Sequence, residues 1–586
     1  MSIHTWFRRA ALVGLSCLLA ACAASAPSGS TRRDTAFGPV VGADDSAASG
    51  TLFWKGVPFA QPPVGAMRWR APVDPAHWTA PRNTKTFAQA CVQNGRLYGP
   101  GRHNRYDETI GATLGQPLGS EDCLYLNIWA PAKPSAAPRP VIVFVHGGSF
   151  ITGYTADPVY DGAALARSQD AVVVTVNYRL GIFGYLNLPA LKTGRREDDS
   201  GNFALLDIVK ALEFLQGNIA AFGGDPNRVT LMGQSAGAVN VYALLTSPML
   251  VQRPGPKLFH RLVPLSGGIS TPATLPKGGI AGVQPLGVWE KRGEGLLTEA
   301  LIAAGRAPDE AAAHRLVTER GPAEMAGWLR QQPPEALLHV VLSRLAKRGM
   351  AASNVIPDGW VSATDPIAAM RAGQYVHVPV LAGHARDETK LFPQLFAIRP
   401  DLGGVSGRLL DDAAVFALVS HYDPEAPPAT TIEQWVPPVY LPVDKPVTGF
   451  NARAAELDRV WFAAIRDDAL NALRSQQRDV WAYEFEWDAM PPPFDVLYGA
   501  AHAFDLPFVF GNFGPSLYSR IMVTRANAPG RFALSKAMMD SLGAFARSGD
   551  PDNASLATHW KPWPAELVFD ADATSLHIGT RERVQR

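Results

Sequence analysis

Phe222-Gly223-Gly224-Asp225-Pro226-Asn227-Arg228-Val229-Thr230-Leu231-Met232-Gly233-Gln234-Ser235-Ala236-Gly237 is the stretch that decides the fold. Val229 to Met232 is a short apolar run of strand type, with turn residues upstream of it. Gly233 and Gly237 flank Ser235, and from Ala236 the apolar spacing becomes helical through Val239, Tyr242, Ala243 and Leu245. Strand, sharp turn and helix, with a serine on the turn, make a G-x-S-x-G nucleophile elbow. Neighbours without side chains let strand and helix nearly touch there. The turn exposes the hydroxyl beside the positive N-terminus of the helix. A bare G-x-S-x-G also occurs in ordinary turns; the strand–turn–helix setting argues for the elbow.

An elbow serine needs a base, an acid to orient the base, and donors for an oxyanion. Val141 to Val145 is a buried-type strand running into His146-Gly147-Gly148-Ser149-Phe150. Consecutive glycines let backbone N–H groups approach a ligand oxygen. The N–H groups of Gly148 and Ser149 are therefore the expected oxyanion donors, together with that of Ala236.

Several runs make the chain resemble a type-B carboxylesterase, the α/β-hydrolase branch that includes bacterial esterases, animal carboxylesterases and cholinesterases. The run from Phe222 to Gly237 matches that family's serine signature, and Ser120-Glu121-Asp122-Cys123-Leu124-Tyr125-Leu126-Asn127 its second signature. Gly56 to Ala60, Asn177 to Gly181 and Phe545 to Pro551 are similar to it as well. The resemblance covers roughly residues 35 to 570. It implies an α/β-hydrolase fold, a Ser-Glu-His triad, no cofactor and no metal.

The chain has 586 residues, 47% apolar and 18% charged, with formal charge +1. It is long for one domain, but the resembled enzymes are single domains with large insertions. The balanced charge offers no reason to expect nucleic acid as a partner. Arg8 and Arg9 precede an apolar segment, Ala10 to Ala21, too short to span a membrane comfortably. It ends in Leu19-Ala20-Ala21-Cys22, which resembles a bacterial lipoprotein cleavage box. Residues 1–21 are thus expected to be a signal peptide, Cys22 the lipidated N-terminus, 22–34 a tether and 35–586 the hydrolase domain. A periplasmic or outer-membrane-anchored lipoprotein follows, with a plain signal cut near Ala26 and secretion as the alternative. The lipid anchor is the one membrane contact expected.

The body holds two cysteines, Cys91 and Cys123. In an exported protein such a pair suggests one disulfide, and in the resembled family these positions close a loop over the gorge; two free buried thiols are the alternative. Cholinesterases place a cation-binding tryptophan in that loop, where this chain has Thr113. Quaternary ammonium recognition by cation–π contact is therefore unsupported.

Apolar strands (Val141–Val145, Ala171–Val176, Val229–Met232, Leu262–Leu265, Val378–Ala382) alternate with helices such as Ala204–Ala220. That alternation predicts a mostly parallel, doubly wound sheet. Residues 281–350 read as helices at Gly295–Ala304, Ala311–Arg320 and Pro334–Lys347, and 400–445 is proline-rich. Both are expected as insertions beside the active-site mouth.

Thirteen histidines compete for the role of base. His502 follows the strand-like run Val480 to Glu486 and resembles the family's histidine loop, which suits the order Ser…acid…His. His146, in the oxyanion loop, suggests shaping instead. For the acid, Gly383-His384-Ala385-Arg386-Asp387-Glu388-Thr389 offers two carboxylates. The resemblance selects Glu388, with Asp387 a solvated or helix-capping neighbour, and Ser266 resembles a hydroxyl bonding to that glutamate. The expected activity is hydrolysis of small to medium organic esters through an acyl-enzyme. An amide- or peptide-hydrolysing enzyme with the same triad, and a non-catalytic binding module, are the alternatives.

Overall fold

A continuous apolar run such as Val141–Val145 is what a strand covered on both faces requires. The computed structural model describes residues 30–275, 279–392, 411–516 and 519–583. The expected signal peptide, Cys22 and the start of the tether lie outside the described residues.

Eleven strands form the main sheet. In chain order they are β1 (Ala43–Asp45), β2 (Thr51–Pro58), β3 (Tyr125–Pro131), β4 (Arg139–Val145), β5 (Val172–Val176) and β6 (Gly224–Gln234). β7 (Arg261–Leu265), β8 (Val380–Ala385), β9 (Val480–Phe485), β10 (Ala565–Ala571) and β11 (Leu576–Glu582) complete it. The spatial order is β11-β10-β9-β8-β7-β6-β4-β5-β3-β2-β1. From β5 across to β10 all pairings are parallel, and the antiparallel ones lie toward the two edges. The mostly parallel sheet read from the sequence is therefore present.

β4 shows how the sheet is covered. Val141, Val143 and Val145 join a core with α1 (Phe203–Asn218) and α2 (Ala236–Leu245). Ile142 and Phe144, one pleat out of phase, join a second core with Met538, Leu542 and Phe545 of the late helix Ala528–Ser548. Burial on both faces erases the alternation that a one-sided strand would show.

Two differences from the sequence reading matter. Strand β8 runs to Ala385, past the Ala382 end expected, because His384 and Ala385 keep their register with Glu484 and Phe485 of β9. The helices of 281–350 (Leu286–Ala303, Glu310–Gln331, Pro334–Val340) pack on Trp69, Phe183 and Leu188 in a third core. They supply no side chain to the cavities around Ser235, whereas Asp412, Trp435 and Tyr440 of the proline-rich segment do. Gly321, at φ 78° and followed by Pro322, breaks the Glu310–Gln331 helix close to the Arg320 end that was expected.

Candidate active site

The parallel register decides where the functional loops meet. Gly233 of β6 pairs with Val145 of β4, and Gln234 with Leu265 of β7. The loops leaving the carboxyl ends of β4 and β6 therefore emerge side by side, where open α/β sheets hold their ligands.

Ser235 stands at φ 56°, ψ −121°, a costly conformation for a residue with a side chain. Its own N–H donates to the Leu265 carbonyl at 2.8 Å, which pins the turn. The flanking glycines are sterically required. A Cβ on Gly233 would come 2.3 Å from the Gly237 carbonyl oxygen, and one on Gly237 would come 2.1 Å from that of Val145. The next residue, Ala236, opens α2, so its N–H faces outward at the positive helix end.

The loop after β4 is likewise shaped by its backbone. Gly148, Ser149 and Phe150 have φ of 106°, 53° and 64°. The Gly148 carbonyl turns inward to accept the N–H groups of Ile151 and Thr152. Among the described residues, the N–H groups of Gly148, Ser149 and Ala236 have no protein acceptor. His146 is buried, stacks on Tyr178 at 4.6 Å, and its carbonyl accepts the Tyr178 hydroxyl at 2.7 Å. Burial, only partly opposed by the Gly147 carbonyl, pushes its pKa down to about 4. It is a neutral wedge, as its place in the loop suggested.

Glu388 follows β8 and His502 follows β9. Both are buried, and Glu388 Oε2 lies 2.5 Å from His502 Nδ1. Glu388 Oε1 accepts the Ala385 N–H at 2.8 Å and has His384 Nδ1 at 3.2 Å. Burial pushes the Glu388 carboxyl up, but the charge of His502 and the hydrogen bonds from His384 and His502 outweigh it and hold it well below the usual range. Nearby Asp458 moves the other way: burial and the Glu388 charge raise it, while its Oδ1 takes the Thr389 N–H at 2.8 Å. The two neighbouring carboxyls are thus pushed in opposite directions.

The expected role of Ser266 needs correction. Its hydroxyl is buried and bonds to nothing among the described residues, and His384 instead lies beside the Glu388 oxygen that faces away from His502. The physical reason is the longer β8, which carries His384 into the sheet four residues before Glu388. Asp387 also departs from expectation. It is neither solvated nor a side-chain cap: its carboxylate pairs with Arg386 at 2.7 Å and Lys390 at 3.1 Å and accepts the Ala500 N–H at 3.1 Å. With the Asp387 N–H donating to the Ala500 carbonyl, it clamps the acid loop to the histidine loop.

His502 Nε2 has the side-chain amide of Gln234 at 3.0 Å, while Ser235 Oγ makes no hydrogen bond among the described residues. The carboxylate fixes the ring so that an Nδ1–H donates to Glu388 and Nε2 faces the Gln234 amide. The rings of Phe392 and Phe462 flank the imidazole at 5.1 Å each. Gln234, His384 and Asp458 carried no signal in the sequence beyond Gln234 preceding the elbow serine.

Two adjoining cavities meet at Tyr98, Gly148, Ser149, Leu391 and Phe392. One, about 100 Å³, contains Ser235, His502 and Gln234; the other, about 220 Å³, reaches Arg96, Lys390 and Trp435. Cys91 and Cys123 form a disulfide. Thr113, in the loop it closes, turns its hydroxyl onto the Pro100 and Ile110 carbonyls.

A parallel sheet with a strained elbow serine and a facing acid–histidine pair defines a hydrolase of the α/β-hydrolase fold. The carboxylesterase family model matches residues 29–586, and the chain belongs to that family. It is a carboxylic ester hydrolase. Fumonisin B1 esterase of Sphingopyxis macrogoltabida is 32% identical over 86% of this chain and 80% of that enzyme. Para-nitrobenzyl esterase of Bacillus subtilis is 30% identical over 94% and 97%. Human carboxylesterase 3 is 33% identical over 94% and 89%. Among solved structures, carboxylesterase EST55 of Geobacillus stearothermophilus aligns with TM-score 0.66 at 27% identity, over 94% of this chain and 98% of that one.

Proposed function

We propose that Ser235, His502 and Glu388 form the triad of a serine esterase acting on small to medium organic esters through an acyl-enzyme. The observation that carries this reading is the buried Glu388–His502 pair at 2.5 Å, with His502 and Ser235 in the wall of one cavity. Ser235 Oγ attacks the ester carbonyl as His502 Nε2 takes its proton, and Glu388 stabilises the imidazolium. The N–H groups of Gly148, Ser149 and Ala236 receive the oxyanion. The imidazolium returns the proton to the departing alcohol, and water then hydrolyses the acyl-enzyme by the same route. The Gln234 amide gives way as substrate brings Ser235 onto Nε2, consistent with catalytic hydrogen bonds that tighten only in the bound complex. An organophosphonate should add covalently at Ser235, read as a mass increment on the peptide that contains it; an increment on another serine contradicts the assignment.

We further infer that the mature enzyme is exported and held to a membrane by a lipid on Cys22. The arginine pair, the apolar run and Leu19-Ala20-Ala21-Cys22 support this, and the Cys91–Cys123 disulfide suits an oxidising compartment. Cys22→Ser should release the protein from the membrane fraction of a lipoprotein-competent host. Wild-type protein without acyl mass at Cys22 would point to plain secretion.

A further inference from the structure

The cavity that holds Ser235 and His502 has an acid in its wall that ester cleavage leaves unused. Asp157 precedes the turn Pro158–Tyr160, and its Oδ1 accepts the Val159 N–H at 2.9 Å. The second oxygen has no hydrogen-bond partner among the described residues, and Asp157 is half-buried in the cavity wall. No arginine or lysine among the described residues lines this cavity; Val159, Leu506, Pro507 and Met522 make much of its wall. Of the titratable groups nearby, Tyr154 and Tyr160 are phenols raised further by burial and by the Asp157 charge, so neither compensates it; Tyr98 and His502 line the same cavity, and His502 is paired with Glu388. A carboxylate in an apolar wall without a cation is costly. The turn itself does not need the charge, since asparagine or serine caps equally well. Burial, partly offset by the Val159 N–H, lifts the Asp157 pKa to about 7, so an arriving cation would draw the group into its charged form.

We propose that Asp157 is a specificity-determining residue: it pairs with a protonated amine carried by the substrate while the ester carbonyl lies at Ser235. This rests on the assignment of Ser235 as the nucleophile. The pairing is a charge-assisted hydrogen bond, strong where water is excluded. It therefore calls for an amine that keeps an N–H, unlike the quaternary ammonium that an aromatic face would hold.

Two matched ester pairs test it, each differing by N–H⁺ in place of C–H. Ethyl 4-(dimethylamino)butanoate is compared with ethyl 5-methylhexanoate, and 2-(dimethylamino)ethyl butanoate with 3-methylbutyl butanoate, with released acid titrated at pH 8. In at least one pair, wild type should favour the amine in kcat/KM by roughly tenfold or more. Asp157→Asn should bring that ratio close to one, and Asp157→Ser serves the same purpose should the first variant fold poorly. Absence of any preference in wild type, or an unchanged ratio in a folded variant, overturns the proposal. Ser235→Ala separates the two levels. If it still turns over both esters, the nucleophile is wrong; if it is dead while the Asp157 variants keep the wild-type ratio, only the amine site falls.

Discussion

Ser235 and the N–H groups proposed to receive the oxyanion come from two loops that follow neighbouring strands and are fixed by backbone. Positive φ at Ser149 and Ser235, the Ser235 N–H on Leu265 and the approach of Gly233 to Gly237 leave that half little room to vary. Glu388 and His502 stand 114 positions apart and are fixed by side chains. His384 Nδ1 lies beside the carboxylate, Asp387 clamps the two loops, and Phe392 and Phe462 flank the imidazole. Backbone geometry is written in consecutive residues. Side-chain support depends on which distant strand ends share a sheet edge.

The sharpest way to break this contrast is to exchange the two adjacent carboxylates for amides. Glu388→Gln keeps the shape but loses the charge that holds the Nδ1–H tautomer, so kcat should fall by about 10^3–10^4-fold with the fold intact. Asp387→Asn should lower kcat less than about tenfold and act chiefly on stability, because it weakens the pairs with Arg386 and Lys390 that hold the clamp. A dead Asp387→Asn beside an active Glu388→Gln would mean that the acid is the other residue.

Smaller effects sharpen the side-chain half. His384 is a positioning residue, reaching the reaction only through Glu388. His384→Leu should lower kcat by roughly tenfold with KM little changed, and His384→Gln, whose amide N–H still reaches the carboxylate, should recover much of it. Equal losses in both variants would reduce His384 to packing. Ser266→Ala should change kcat less than about twofold, since its hydroxyl bonds to nothing among the described residues. A large loss there would restore the hydroxyl–carboxylate bond expected from the sequence.

The same contrast explains what the sequence could tell. The elbow is legible because strand, glycines, serine and helix are contiguous, and the glycine loop after β4 because it follows an unbroken apolar strand. Glu388 and His502 were legible through family likeness, and the structure brings them together. His384 was not, because the strand ending at Ala382 in sequence is prolonged by pairing with β9, which no local pattern in Gly383–Ala385 announces. The surroundings of Ser266 are hidden for the same reason: the place beside Glu388 is filled by a histidine that no local pattern puts there. The placement of the 281–350 helices was equally hidden, since an amphipathic face does not say which core it will cover.

Ser235 and His502 are proposed to act as one unit. The most direct measurement is kcat for Ser235→Ala, His502→Ala and the double variant on a single ester, with melting curves confirming that each is folded. Members of one triad are not additive: each single change should cost about 10^4-fold or more, and the double variant should be no slower than the worse single by more than about tenfold. Losses that multiply in the double variant, or a single variant within about tenfold of wild type, would contradict the account.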